Sequence, residues 1–258
     1  MKISILGSTG RIGSLVASTA RDMDIQVVGT ASKGCPVSDL FRNADVIIDF
    51  SSPEATLEML SFALTGGLTT PIVIGTTGLD ASHGDLIKSL SAHCPVFTSS
   101  NMSVGVAILN VLVYMSARFL DDNFDAEIID IHHNLKKDSP SGTALMLGET
   151  IAKARGQCFQ EVAKFTRFGK DDKREKGEIG FAVQRLGDQV GTHEVCFGNA
   201  QESIKLRHES YSREGFARGA IVIAEWIIKE KAGLYTMNDF VKSKIVPIVA
   251  SISENFYT

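Results

Sequence analysis

The sequence predicts an α/β protein in two parts. The first is an N-terminal, Rossmann-like dinucleotide-binding domain with a parallel sheet. The second is a C-terminal α+β domain with a mixed, largely antiparallel sheet. Three observations carry this expectation. A glycine turn beginning at Gly7 joins a short apolar run to a helical pattern. Apolar runs then alternate with amphipathic stretches up to residue 98, the rhythm of a parallel sheet covered on both faces. Beyond the long apolar run at residues 104–120, longer strand-like segments replace the alternation.

Composition bounds the function. A chain of 258 residues, 44% hydrophobic and 22% charged, is long enough for one large domain or two modest ones, each with a core. The balance of 26 Lys plus Arg against 30 Asp plus Glu, a net charge of -4, predicts no nucleic-acid surface. The longest apolar stretch, residues 104–117, is broken by Asn110 and falls short of the roughly 18 residues of a membrane span. No signal-peptide pattern precedes the glycine turn, so a cytoplasmic protein with no membrane partner is expected. Cys35, Cys94, Cys158 and Cys196 lie far apart without metal-ligand spacing, which predicts thiols and no metal.

In chain order, residues 3–6 read as a strand, Gly7-Ser8-Thr9-Gly10-Arg11-Ile12-Gly13 as a turn, and residues 14–21 as a helix. Glycines at this spacing allow a tight turn, close approach of backbone to a pyrophosphate, and close helix–strand packing. A purely structural glycine turn is the alternative. Residues 26–31 and 46–50 follow as strands. The tip of the second strand, where an Asp or Glu commonly reads the ribose of NAD, is Ala31-Ser32-Lys33-Gly34. A 2'-phosphate suits Lys33, which favours NADPH, with NADH as the alternative donor. The competing reading makes Lys33 an ordinary solvated lysine.

A helix after Pro53, a strand at residues 71–74, the loop Gly75-Thr76-Thr77-Gly78, a helix near residues 86–92 and a strand at residues 95–98 complete the first part. Ligands of such sheets bind beyond the carboxyl ends of the strands. The glycine turn, Ser32 and Lys33, residues 49–52, residues 75–78 and Ser99-Ser100-Asn101-Met102 therefore share one rim.

The second part follows the helix at residues 104–120, with strands at residues 125–131, 177–184, 192–198 and 203–208. Segments 178–185 and 192–197 flank Gly187, Asp188 and Gly191 and read as a β-hairpin. Residues 164–178, dense in both signs of charge, read as a mobile solvated loop. The last large helix, residues 216–228, spaces Phe216, Ala220, Ile223, Ala224 and Ile227 for packing on a core. The expected domains are residues 1–124 and 125–231, with residues 232–258 packing back on the first.

The richest chemistry is His132-His133-Asn134-Leu135-Lys136-Lys137-Asp138-Ser139-Pro140-Ser141-Gly142-Thr143, between a strand and a helix. Two imidazoles and two ammonium groups precede Ser141, which is placed as the N-cap of the following helix. The N–H groups of Gly142 and Thr143 then face a carboxylate or phosphate. A solvated basic loop before an ordinary helix is the competing reading.

These motifs, in this order, resemble the 4-hydroxy-tetrahydrodipicolinate reductase (dihydrodipicolinate reductase) family over essentially the whole chain. The most specific part is His-His-x-x-Lys-x-Asp-x-Pro-Ser-Gly-Thr-Ala, here His132 to Ala144. It is joined by Arg185-x-Gly187-x3-Gly191-x-His193 and His208-x4-Arg213-x2-Phe216. The resemblance implies an NADH- or NADPH-dependent oxidoreductase of lysine biosynthesis through diaminopimelate. It implies a small dicarboxylate substrate and a homotetramer assembled through the second domain, which binds substrate. It further implies that Gly7, Ser8, Thr9, Gly10, Arg11, Ile12, Gly75, Thr76, Thr77, Ser99, Ser100, Asn101 and Met102 touch the cofactor. His132 would be the catalytic acid with Lys136 as its partner, and His133, Ser141, Gly142 and Thr143 would hold the substrate. The family often has Glu where Asp130 stands, and an acidic residue where Ser32 stands.

The residues themselves support such a reaction. A cyclic imine flanked by two carboxylates becomes a better hydride acceptor when its negative charge is neutralised, which Lys136, His133 and the N–H groups at Gly142 and Thr143 can do. The enamine-like intermediate then needs a proton on the adjacent carbon, a task suited to a histidine. Another two-domain NADP-dependent dehydrogenase would require a reactive cysteine or a different lysine and aspartate constellation. A non-catalytic dinucleotide-sensing protein would not need the His-His-x-x-Lys cluster.

Overall fold

Short apolar runs become the strands of the first sheet in the computed structural model, which describes residues 1–32 and 34–255. The chain forms β1 (Lys2–Leu6), α1 (Arg11–Asp22), β2 (Gln26–Ala31), β3 (Val46–Asp49), α2 (Pro53–Thr65), β4 (Ile72–Ile74), α3 (Ala81–Ser91) and β5 (Pro95–Thr98). It continues with α4 (Val104–Leu120), β6 (Asp125–His132), α5 (Gly142–Arg155), α6 (Phe159–Val162), β7 (Ala163–Lys164), β8 (Ile179–Arg185), β9 (Gly191–Gly198) and β10 (Ser203–Ser210). The last elements are α7 (Glu214–Ile227), β11 (Gly233–Thr236) and α8 (Met237–Asn255).

The first sheet has the order β11-β5-β4-β3-β1-β2, and every pairing in it is parallel. All of β3 and β4 is buried, as expected of strands covered on both faces. Ser52 caps α2 ahead of Pro53, and Asp80 with His83 forms a capping box on α3, so His83 is a local structural histidine. β11 extends this sheet at β5, which brings the C-terminal segment back to the first unit.

The second sheet has the order β10-β9-β6-β8-β7, with β6 antiparallel to β9 and parallel to β8. The expected hairpin between β8 and β9 does not form, because β6 lies between them. The apolar β6 takes the central place, and the connection after β8 passes over its end: Leu186 N–H donates to His132 O at 2.9 Å and Asn134 N–H to Gly187 O at 3.1 Å. The antiparallel neighbours adjacent in sequence are β9 and β10.

The unit boundaries differ from those expected at residues 124 and 231. One unit comprises Met1–Val104 and Arg213–Thr258, the other Gly105–Ser212. Core packing explains the difference. On α4, Leu109, Val113 and Ala117 join Ala126, Ile128, Leu147 and Ile151 in the second unit. On α7, Ala217, Ala220, Ile221 and Ala224 join Ile3, Ile5, Val16 and Phe97 in the first.

Residues 165–178 are held by ion pairs: Arg167 lies 3.0 Å from Glu127 and 3.2 Å from Glu178, and Arg174 pairs with Asp125 at 2.8 Å and with Glu127. Most of the run is exposed, as expected, and its arginines pair with acids of β6 as well as with Glu178. Helix α4 has the expected bounds, but with the turn at Asp121–Asn123 it makes a longer apolar segment than the 104–117 stretch. Val104–Asn123 spans 20 residues, long and apolar enough to cross a membrane by length and composition. Asn110, the polar residue within that stretch, is half-buried, and its side-chain oxygen accepts from Thr150 Oγ1 at 2.7 Å.

Candidate active site

In the first unit, the strand ends build a cleft of two neighbouring cavities. One, of about 640 Å³, is lined by Gly7, Thr9, Gly10, Ser32, Cys35, Phe50, Ser51, Glu54 and Glu58 among others. The other, of about 430 Å³, is lined by Gly10, Arg11, Ile12, Phe50, Ser51, Gly75, Thr76, Thr77, Ser100, Met102 and Phe216. Gly7 has φ +82, and a Cβ there would strike the Phe50 carbonyl. A Cβ at Gly75 would strike the Phe50 ring. Helix α1 begins at Gly10 with no side-chain cap, so its positive end is presented at the cleft for an anion. A glycine cradle, an uncapped helix start and an elongated cleft fit a dinucleotide.

Ser8, Ser99 and Asn101 are outside the lining of both cavities. Ser99 Oγ donates to Asn101 O at 2.7 Å and accepts from Asn101 N–H at 3.2 Å, so these two residues shape the turn. Lys33 lies outside the described residues.

The second unit holds the histidines. In β6 the residues Ala126, Ile128, Asp130 and His132 are buried in alternation, so the period of two puts Asp130 and His132 on the inner face. Pro140 precedes the start of α5, whose N-cap is Ser141. Asp130, fully buried, is the hub. Ser141 N–H donates to its Oδ2 and Ser141 Oγ to its Oδ1, both at 2.8 Å. Arg185 Nη2 lies 3.1 Å from Oδ2, and His132 Nδ1 lies 2.9 Å from Oδ1. The His132 ring nitrogen is not aimed squarely along that contact. Burial would raise the Asp130 pKa, but the His132 contact and the Ser141 hydrogen bonds outweigh it and hold the carboxyl well below the usual range.

His193 completes the network, with Nε2 3.1 Å from Ser141 Oγ and 3.5 Å from Asp130 Oδ1. The rings of His132 and His193 meet edge to face at 5.1 Å. Burial pushes His193 down to about 4 despite the Asp130 charge, so it is neutral near pH 7. The Ser141 proton points to Asp130, so the His193 proton sits on Nε2 and is accepted by Ser141 Oγ.

Asp130, His132 and His193 present ligand-type atoms within 4.8 Å of one another. Arg185 occupies the other carboxylate oxygen, and its charge opposes a cation there. The cluster is therefore read as a hydrogen-bonded network.

Ser141, expected among the substrate-binding groups, is buried. Its hydroxyl caps Ala144 N–H at 3.2 Å as well as serving Asp130 and His193. Lys136 Nζ pairs with Asp138 at 2.8 Å, and this pairing first of all lowers the Asp138 pKa. His133 is half-buried just beyond β6, and Gly142 is exposed at the start of α5. The sequence offers Arg185 and His193 only as motif positions with no role assigned, and Asp130 only as a variation on the family's Glu. The available signal was a lone acid on the buried face of an apolar strand.

Two family models match this chain: the N-terminus of dihydrodipicolinate reductase over residues 1–102 and its C-terminus over residues 105–241. The chain belongs to the dihydrodipicolinate reductase family. A 4-hydroxy-tetrahydrodipicolinate reductase of Campylobacter jejuni is 43% identical over 241 residues, covering 93% of this chain and 98% of that protein. One from Wolinella succinogenes is 40% identical over 252 residues, covering 92% and 98%. The fold matches a structure described as dipicolinate-bound dihydrodipicolinate reductase from Paenisporosarcina sp. TG-14. Its TM-score is 0.70 at 21% identity, over 92% of this chain and 97% of that one. As a member of the dihydrodipicolinate reductase family, the chain is an oxidoreductase that uses a nicotinamide dinucleotide. Cys94 is buried and burial pushes its thiol up to about 11, so it is no reactive thiolate.

Proposed function

We propose that the chain reduces a dihydrodipicolinate-type cyclic imine to tetrahydrodipicolinate, the 4-hydroxy-tetrahydrodipicolinate reductase step of lysine biosynthesis. The observation that carries this is His132 set against the buried Asp130 carboxylate, where β6 ends and α5 begins. When bound, the dihydronicotinamide supplies the hydride. The glycine turn with Arg11 and Ile12, and the Thr76 and Ser100 loops, hold the dinucleotide. Lys136, His133 and the N–H groups of Gly142 and Thr143 neutralise the two substrate carboxylates. His132 delivers a proton from Nε2 to the ring carbon beside the one that accepts hydride, while Asp130 stabilises the imidazolium. Gly191 lies against the Nε2 edge of that ring, where a bulkier residue would crowd it.

The test is to add the product of dihydrodipicolinate synthase to the protein with NADPH or NADH and follow dihydronicotinamide absorbance. Oxidation by the wild type is expected. His132→Gln should lose about 10² to 10⁴ in kcat while dinucleotide affinity holds within about twofold. Near wild-type turnover in that variant would refute the acid role.

NADPH is the proposed preferred donor, through Lys33. A second reading, NADH, is favoured by Glu54 and Glu58, acidic residues that line the same cavity as Ser32 and whose charge opposes a 2'-phosphate. Parallel kcat/KM values decide between them, and Lys33→Ala should erase any NADPH preference. A cytoplasmic homotetramer is proposed as the working assembly. Ile108, Leu112, Met115 and Phe119 leave an apolar stripe along α4 exposed, with Phe119 83% accessible. Light scattering that gives a monomer at assay concentration would overturn the tetramer.

A further inference from the structure

The first unit buries a carboxyl group that touches neither cavity. Asp49 is fully buried at the carboxyl end of β3, paired in register with Leu6 on β1 and Ile74 on β4, the strands that lead into the glycine turn and the Gly75 loop. Its Oδ1 accepts from Ser51 N–H at 3.0 Å, Ser51 Oγ at 2.5 Å and Thr76 Oγ1 at 3.0 Å. Its Oδ2 accepts from Thr56 Oγ1 at 2.5 Å. Ser51 N–H is also 2.9 Å from Thr76 Oγ1, and Gly75 N–H donates to the Asp49 carbonyl at 2.8 Å. One carboxyl thus ties the loop after β3 to the loop after β4. Phe50 opens the first of these loops; its carbonyl faces Gly7 and its ring reaches across to cover Gly75 in the second. Phe50 and Ser51 line both cavities.

No described residue forms an ion pair with Asp49. Burial pushes its pKa up, against the hydrogen bonds from Ser51, Thr56 and Thr76. Burying a carboxyl without a cation is costly, and packing alone would be served as well by an apolar side chain. What the carboxyl adds is several acceptor sites that fix two loops at once.

We infer that Asp49 is a positioning residue for the dinucleotide: through Ser51 and Thr76 it sets the spacing between the Phe50–Ser51 loop and the Gly75–Thr76 loop, and with it the width of the cleft. This rests on the reading of the cleft as a dinucleotide site and adds a residue that does not itself contact the ligand. The inference separates binding from chemistry, since the His132 network lies on a different unit and shares none of these residues.

The experiment uses the full chain and Asp49→Asn, which keeps the shape but turns one acceptor into a donor. NADPH and NADH binding is measured by calorimetry, together with kcat and KM for each substrate. The expected result is a Kd and KM for the dinucleotide raised about tenfold, the scale of lost hydrogen bonds to a charged group. Turnover at saturating dinucleotide and KM for the dicarboxylate should stay within about twofold. Should Asp49→Asn fail to fold, Thr56→Val reads the same network from the donor that lines neither cavity, with a several-fold rise expected. Restoration of affinity by Thr56→Ser would then tie the effect to the hydroxyl. Unchanged dinucleotide affinity in the folded variant, while the wild type binds, would overturn the positioning role alone. A wild type that binds neither dinucleotide would overturn the reading beneath it.

Discussion

At the scale of single residues, the site is organised by one carboxylate serving several partners. Asp130 receives Arg185, Ser141 and His132, and with Ser141 it fixes which nitrogen of His193 carries the proton. Removing its charge should hurt catalysis more than it hurts binding. Asp130→Asn keeps the volume but leaves the guanidinium of Arg185 without its partner charge and His132 without a counterion. The expected outcome is a kcat reduced by about 10- to 100-fold at neutral pH, with the pH–rate profile displaced toward lower pH. Dinucleotide affinity should be unchanged. A profile that keeps its position while only the protein's stability falls would show Asp130 to be scaffolding for the start of α5.

At the scale of elements, much was legible and the exceptions have physical causes. Parallel strands buried on both faces read as continuous apolar runs, so β1, β3, β4 and β5 were visible, as were the helices between them. The β8–β9 pairing was misread because a short glycine-bearing connection looks the same whether its strands are neighbours or have β6 between them. His132, His133 and Lys136 stand out as candidates because they cluster in sequence. Arg185 and His193 stand in the sequence only as motif positions and Asp49 only as part of a rim; like Thr56, each gains its role through partners that folding brings near. The placement of α7 in the first unit was hidden for a similar reason, and it can be tested. A Cβ at Gly219 would collide with the Met102 carbonyl, which is backbone and yields little. Gly219→Ala should therefore cost about 1–3 kcal/mol in denaturant unfolding. It should also weaken dinucleotide binding, because Met102 lines the smaller cavity. Wild-type stability in this variant would mean that α7 shifts freely against the turn after β5.

At the scale of the whole molecule, the buried histidines make stability depend on pH in a definite direction. His193 is pushed down to about 4 from an ordinary 6.5, by burial first. Between these values the unfolded chain binds a proton that the folded chain refuses, so stability rises with pH and is lost as pH falls from 6.5 toward 4. The slope from one such group is at most about 1.4 kcal/mol per pH unit. Burial shifts His208 in the same direction. Asp49 acts oppositely: its raised pKa means that the folded state holds a proton the unfolded chain releases, which favours folding in the lower part of that window. Wild-type stability is therefore a sum of opposed slopes, and a comparison with a variant isolates one of them. In His193→Gln the amide can still donate to Ser141 Oγ, but it does not titrate. Denaturant unfolding at several pH values between 4 and 6.5 should show the variant losing less stability than the wild type as pH falls, by up to one proton's worth of slope. Parallel curves for the two proteins would mean that His193 takes up its proton in the folded state. The neutral-imidazole arrangement around Ser141 would then have to be abandoned.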